Sequence, residues 1–120
     1  MKLTNNEIYQ YAQSLRAFYI EVKMPVRINF YLQKNIQLIQ QAAEEIDKAR
    51  MNIGAQFGTP NTEGTGFDIP NENMAEVNQE LNDLFAIEQE LNIHVFKLDE
   101  FDSIELGYNE LAAIMFMIEE

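Results

Sequence analysis

The sequence predicts an α+β domain that is mostly helical, with about four helices, one of them long, and a small β-hairpin before the last helix. Three observations predict it. Apolar residues recur at steps of three and four over most of the chain, which is the spacing of one helix face. A Gly/Pro-rich stretch from Gly58 to Pro70 splits the chain into halves. The segment Asn92 to Leu98 holds Ile93, Val95 and Phe96 without a helical stripe, so it reads as a strand.

Thr4 followed by Glu7 is a capping-box pattern and opens the first helix. Ile8, Ala12, Leu15, Tyr19 and Val22 continue it on one face. Lys23-Met24-Pro25 ends it, because proline disfavours helical backbone in the residue before it. Pro25 can then open the second helix, where its missing N–H is not needed. Ile28, Leu32, Ile36, Ile39, Ala43, Ile46, Ile53 and Phe57 trace the second stripe, broken only at Arg50, with Glu44 and Lys48 placed as an i,i+4 pair on the outer face. Running from Val26 to Ile53, this helix would be about 42 Å long against roughly 27 Å for the first. Its overhang must pack on the second half of the chain, on another subunit or on a partner.

Gly58 to Pro70 reads as a flexible connection. Beyond it, Asn73 is placed to cap a third helix with Glu76 at the box position, and Met74, Val77, Leu81, Leu84, Phe85 and Leu91 supply the apolar face. A second extended piece at Ser103 to Leu106 is expected to pair with the strand, Asp99-Glu100-Phe101-Asp102 making the turn. Gly107 and Glu110 start the last helix from Tyr108. That helix holds eight successive apolar residues, Leu111 to Ile118, and a helix apolar on all sides is central or sits at an interface.

The opening Met1-Lys2-Leu3-Thr4-Asn5-Asn6-Glu7-Ile8-Tyr9, the segment Pro25 to Asn35 and the ending Ala113 to Glu120 resemble small proteins encoded by phages and prophages of low-GC Gram-positive bacteria. The shared motifs are helix starts and apolar faces. The resemblance implies a phage origin and carries over no functional residue; it departs from the pattern at Gly107, where a Ser or Thr cap is expected.

A chain of 120 residues is expected to form one domain, 1–120, burying roughly two-thirds of the surface its unfolded form exposes. There is no cysteine, hence no disulfide, thiolate metal site or cysteine nucleophile. The longest apolar run is far below the ~20 residues that span a bilayer. No basic-then-apolar leader opens the chain, so a soluble, cytoplasmic protein is expected. At a net charge of −12 it repels nucleic-acid backbones and anionic membranes, so neither direct nucleic-acid nor membrane binding is expected.

Catalytic signatures are scarce. His94 is the only imidazole and Ser14 and Ser103 are the only serines, and neither serine sits in a nucleophile elbow. The plainer reading of His94 is a half-buried strand residue. Asp99, Glu100, Asp102 and Glu105 offer hard-cation oxygens but lack the alternating ligands and central glycine of an EF-hand loop, so they read as a solvated acidic turn. Gly64-Thr65-Gly66 lacks the lysine of a phosphate loop. No cofactor and no metal are expected, and no enzyme.

The informative feature is where the charge lies. Residues 1–57 carry seven basic against five acidic side chains, a net of +2; residues 58–120 carry Lys97 alone against fifteen acids, a net of −14. Such self-repulsion opposes folding, so the chain either gains solubility from it or meets a positive surface. Met115 and Met117 flank Phe116, and flexible thioethers adapt to partners, although such a stripe is more often core. The expected function is a non-enzymatic module that binds a protein with a basic surface through Asp99, Glu100, Asp102, Glu105, Met115 and Met117. With a phage origin, the target would be a host defence or nucleic-acid-handling protein. The alternative is a phage structural or assembly factor acting as a helical homodimer or larger homo-oligomer, with the long helix's overhang and the Leu111–Ile118 helix as the contact.

Overall fold

The structure is a computed structural model that describes residues 1–16, 24–64 and 66–119. Its described residues form β1 (Lys2–Thr4), α1 (Asn5–Arg16), α2 (Val26–Phe57), β2 (Thr59–Pro60), β3 (Phe67–Asp68), α3 (Met74–Ala86), β4 (Glu88–Glu90), β5 (Phe96–Lys97), α4 (Tyr108–Ile114) and β6 (Ile118–Glu119), joined by short 3₁₀ turns. The mostly helical α+β class with one long helix is the class the sequence predicts.

Helix α1 begins as expected. The Glu7 N–H donates to the Thr4 hydroxyl at 3.1 Å while the Glu7 carboxylate accepts from the Thr4 N–H at 3.0 Å, so two otherwise orphaned donors are satisfied. Ile8, Ala12 and Leu15 are buried along one face; Tyr19 and Val22, read onto the same face, lie outside the described residues. Below the helix start, buried Asn5 donates to the Leu84 carbonyl at 2.8 Å and accepts from the Gln89 amide at 2.7 Å.

Helix α2 runs four residues past Ile53, to Phe57, and at 32 residues is about 48 Å long. Its buried line is Ile28, Leu32, Asn35, Ile39, Ala42, Ala43 and Ile46, so a polar residue takes the place in the stripe that periodicity gives to Ile36. The Glu44–Lys48 pair does not close; the ion pair on this stretch joins Arg50 to Asp47 at 3.5 Å, and Asp47 also accepts from the Tyr9 hydroxyl. The overhang is covered by the chain's own second half. A hairpin of β2 and β3, inside the segment expected to be a flexible connection, folds against the helix end. A Cβ on Gly54 would lie 2.4 Å from the Phe67 ring, and one on Gly58 would lie 2.5 Å from the Asp68 carbonyl oxygen. Gly64, at φ 69°, makes the left-handed turn within the hairpin.

Asn73 does not cap α3. Its side-chain amide donates to the Phe57 carbonyl at 2.9 Å, tying the start of α3 to the last turn of α2. Ile87 turns extended and ends α3, so Leu91 falls outside the helix; its N–H donates to the Met1 carbonyl, beside the antiparallel pairing of β4 with β1.

The expected hairpin before the last helix has a different partner. Phe96–Lys97 is extended, but it pairs in parallel with Ile118–Glu119. Ser103–Leu106 forms no strand. Phe101 and Ile104 are pulled into the core instead, and the chain crosses through α4, the kind of long connection parallel strands require. Helix α4 is correspondingly short, seven residues followed by a 3₁₀ turn at Met115–Met117.

Candidate functional site

The acidic turn alternates anchors and charges. Phe101 is 6% exposed and meets the Phe96 ring edge-on at 5.4 Å, and Ile104 is 8% exposed. Between and around them Asp99, Asp102 and Glu105 stand out in solvent. Two apolar anchors thus hold three carboxylates outward on a fixed stretch of backbone.

Glu100 differs from its neighbours. It accepts from the Lys97 N–H at 2.7 Å and from the Arg27 guanidinium at 2.6 Å, across the start of α2. The amide first and the guanidinium second hold its carboxyl below the ordinary carboxylate range. Of the four acids grouped by sequence, Glu100 is therefore a tether of the turn, already paired, and the other three carry no ion pair among the described residues.

The two methionines separate as well. Met115 is 40% exposed, whereas Met117 is fully buried and its sulfur accepts from the Asn35 amide at 3.3 Å. Met117 is core, and the expectation that it binds a partner is corrected: its side chain has no exposed surface and its sulfur is held by buried Asn35. Residues 108, 112 and 115 share one face by helical spacing, and all three are exposed, Tyr108 at 87%. Tyr108 follows the acidic turn by three residues, and Met115 lies further along the same helix face. Phe116 points elsewhere, stacked on Tyr11 at 4.0 Å, and burial with the nearby Glu7 charge raises the Tyr11 hydroxyl above its ordinary range.

A second acidic surface lies on α3. Glu76, Glu80 and Asp83 recur at steps of four and three on exposed positions, with Glu72 in the turn before them. No ion pair to any of these, or to Asp99, Asp102 or Glu105, occurs among the described residues. The two surfaces do not merge into a single patch. Arg27 ties one to the first turn of α2 and Asn73 ties the other to its last, about 45 Å apart along the helix.

His94 sits against α2 in a groove of about 560 Å³. Its ring stacks on Tyr31 at 4.0 Å and meets Phe96 edge-on at 4.7 Å. Buried Asn35 clamps its backbone, donating to the His94 carbonyl and accepting from its N–H, each at 2.8 Å. The ring Nε2 is buried and has no hydrogen-bond partner among the described residues. Ser14 and Ser103 are exposed, and neither bonds to His94. Sequence reasoning missed Asn35; its signal was a polar residue at a stripe position, three after Leu32 and four before Ile39.

Among the described residues no three His, Asp or Glu side chains converge as metal ligands, and no helix is long and apolar enough to cross a membrane. No protein-family model matches the chain, and no curated protein and no solved structure is significantly similar to it.

Proposed function

We propose that the chain is a non-enzymatic protein-binding module that docks its acidic turn and the adjoining Tyr108–Met115 face on a basic protein surface. The observation that carries this reading is the outward placement of Asp99, Asp102 and Glu105 by the Phe101 and Ile104 anchors, with no cation among the described residues paired to them. Preorganised charge of this kind speeds encounter and selects partners, and an exposed tyrosine beside it provides the anchor that interface cores use. With the phage origin that the resemblance implies, the partner is a host defence or nucleic-acid-handling protein whose phosphate-binding groove the carboxylates occupy. The assembly alternative gains less support, because Ile114 and Met117 are buried within the protomer and α2's overhang is covered by α3 and the hairpin.

Capture from a bacterial lysate, read by mass spectrometry at low and high salt, tests the reading against the triple variant Asp99→Lys, Asp102→Lys, Glu105→Lys. The expected result is a partner with a basic surface that is retained at low salt, released as screening tightens, and lost by the variant while its helical circular dichroism persists. Equal retention of that partner by the variant contradicts the reading.

A further inference from the structure

In the two-stranded ribbon of β1 and β4, no third strand among the described residues pairs with the outer edge of β4. Met1 and Leu91 exchange backbone bonds in both directions, at 2.8 and 2.9 Å, and the Asn5 N–H donates to the Ile87 carbonyl at 2.8 Å. Antiparallel ladders alternate bonded and non-bonded pairs, so Leu3 and Gln89 face each other through hydrogen bonds. The backbone groups of Glu88 and Glu90 therefore point away from β1. Among the described residues they have no partner.

Two further observations describe what would fit this edge. Ile87 shares by alternation the inward face of buried Asn5 and Leu3, yet it is 52% exposed, so the apolar layer beneath the ribbon is uncovered there. On the outward face Glu88 and Glu90 carry carboxylates 54% and 73% exposed, paired among the described residues with Lys2 at 3.8 Å and with the terminal amine at 2.9 Å respectively. An unpaired strand edge is a template for another strand, and alternating carboxylates select alternating cations on it.

We propose that the outer edge of β4 receives an extended basic segment of the partner protein as a third, antiparallel strand, an inference that rests on the binding reading above and names the form its partner takes. The segment places basic side chains opposite Glu90 and Glu88 and an apolar one opposite Ile87. Four main-chain hydrogen bonds supply the pairing, and the side chains set the register.

An acetylated synthetic peptide with Lys-Thr-Lys-Val at its centre is the probe, titrated into the intact chain with amide exchange followed residue by residue by NMR. The expected result is rapid exchange at the Glu88 and Glu90 amides in the free chain and at least tenfold slower exchange with saturating peptide. N-methylation of the second lysine, the residue opposite Glu88, removes one donor without touching the protein and is expected to weaken binding by about tenfold. Glu88→Pro removes the outward N–H while Ile87 already holds the extended backbone that a following proline requires, so it is expected to weaken binding more than Glu88→Gln. A peptide that binds without protecting the Glu88 and Glu90 amides, or that binds equally well when N-methylated, overturns the edge pairing while leaving the charge-reversal result at the acidic turn standing. Absence of binding at low salt overturns the edge pairing too. Loss of capture selectivity in the lysate experiment, by contrast, strikes the broader reading.

Discussion

Asn35 shows how one side chain fixes a loop. Its amide mimics a neighbouring strand for His94, giving the backbone N–H and carbonyl a partner inside the protein. Asn35→Leu fills the space but strands both groups, and is expected to lower stability by about 2–4 kcal/mol, read as a fall in the urea midpoint at unchanged slope. Glu100 gives a pH signature of the opposite character. Its folded-state carboxyl titrates below its unfolded value, so its stabilisation is fully present above the ordinary carboxylate range and is lost as pH falls through the folded value. Both partners are partly exposed, which limits the effect to below ~1 kcal/mol. Denaturation midpoints followed from neutral to acid pH are expected to fall less steeply in Glu100→Gln than in the parent chain.

At the scale of elements, the junction of α2 with the β2–β3 hairpin decides where the long helix ends. Gly58 has an extended backbone that any residue adopts, so its requirement is spatial: the Asp68 carbonyl occupies the place of a side chain. Gly58→Ala is therefore expected to destabilise by roughly 1–3 kcal/mol, since backbone must shift, and thermal unfolding of that variant reads it directly. The same junction shows what the sequence could and could not reveal. The Thr4–Glu7 box and the stripe of α2 were legible because capping and helical period are local. The two- and three-residue strands were not, because no period fits in so few residues and their pairing is fixed by contacts far along the chain. Glu88-Gln89-Glu90 has no β-former at all, and it is extended because Leu3 draws β1 into the core and the ladder follows. Ile118 reads as helix by composition, yet it lies in a strand beside Phe96.

For the molecule as a whole, charge is organised along an axis of 56 Å. Composition located the acids in the second half, but not their division into two surfaces at opposite ends of α2. That division came from Arg27–Glu100 and Asn73–Phe57, two long-range contacts with no sequence signal. The exposed Tyr108–Met115 face follows the acidic turn along the chain, whereas the α3 face carries Glu76, Glu80 and Asp83 on exposed positions. Hydrogen exchange of the chain in complex with its captured partner, compared with the free chain at the same salt, tests this division most directly. New protection is expected from Asp99 to Met115, together with the Glu88 and Glu90 amides where the partner's segment pairs, and it is expected to be lost when salt releases the partner. Protection confined to the α3 face or to the α2 groove, with the Asp99–Met115 stretch unchanged, would contradict this division.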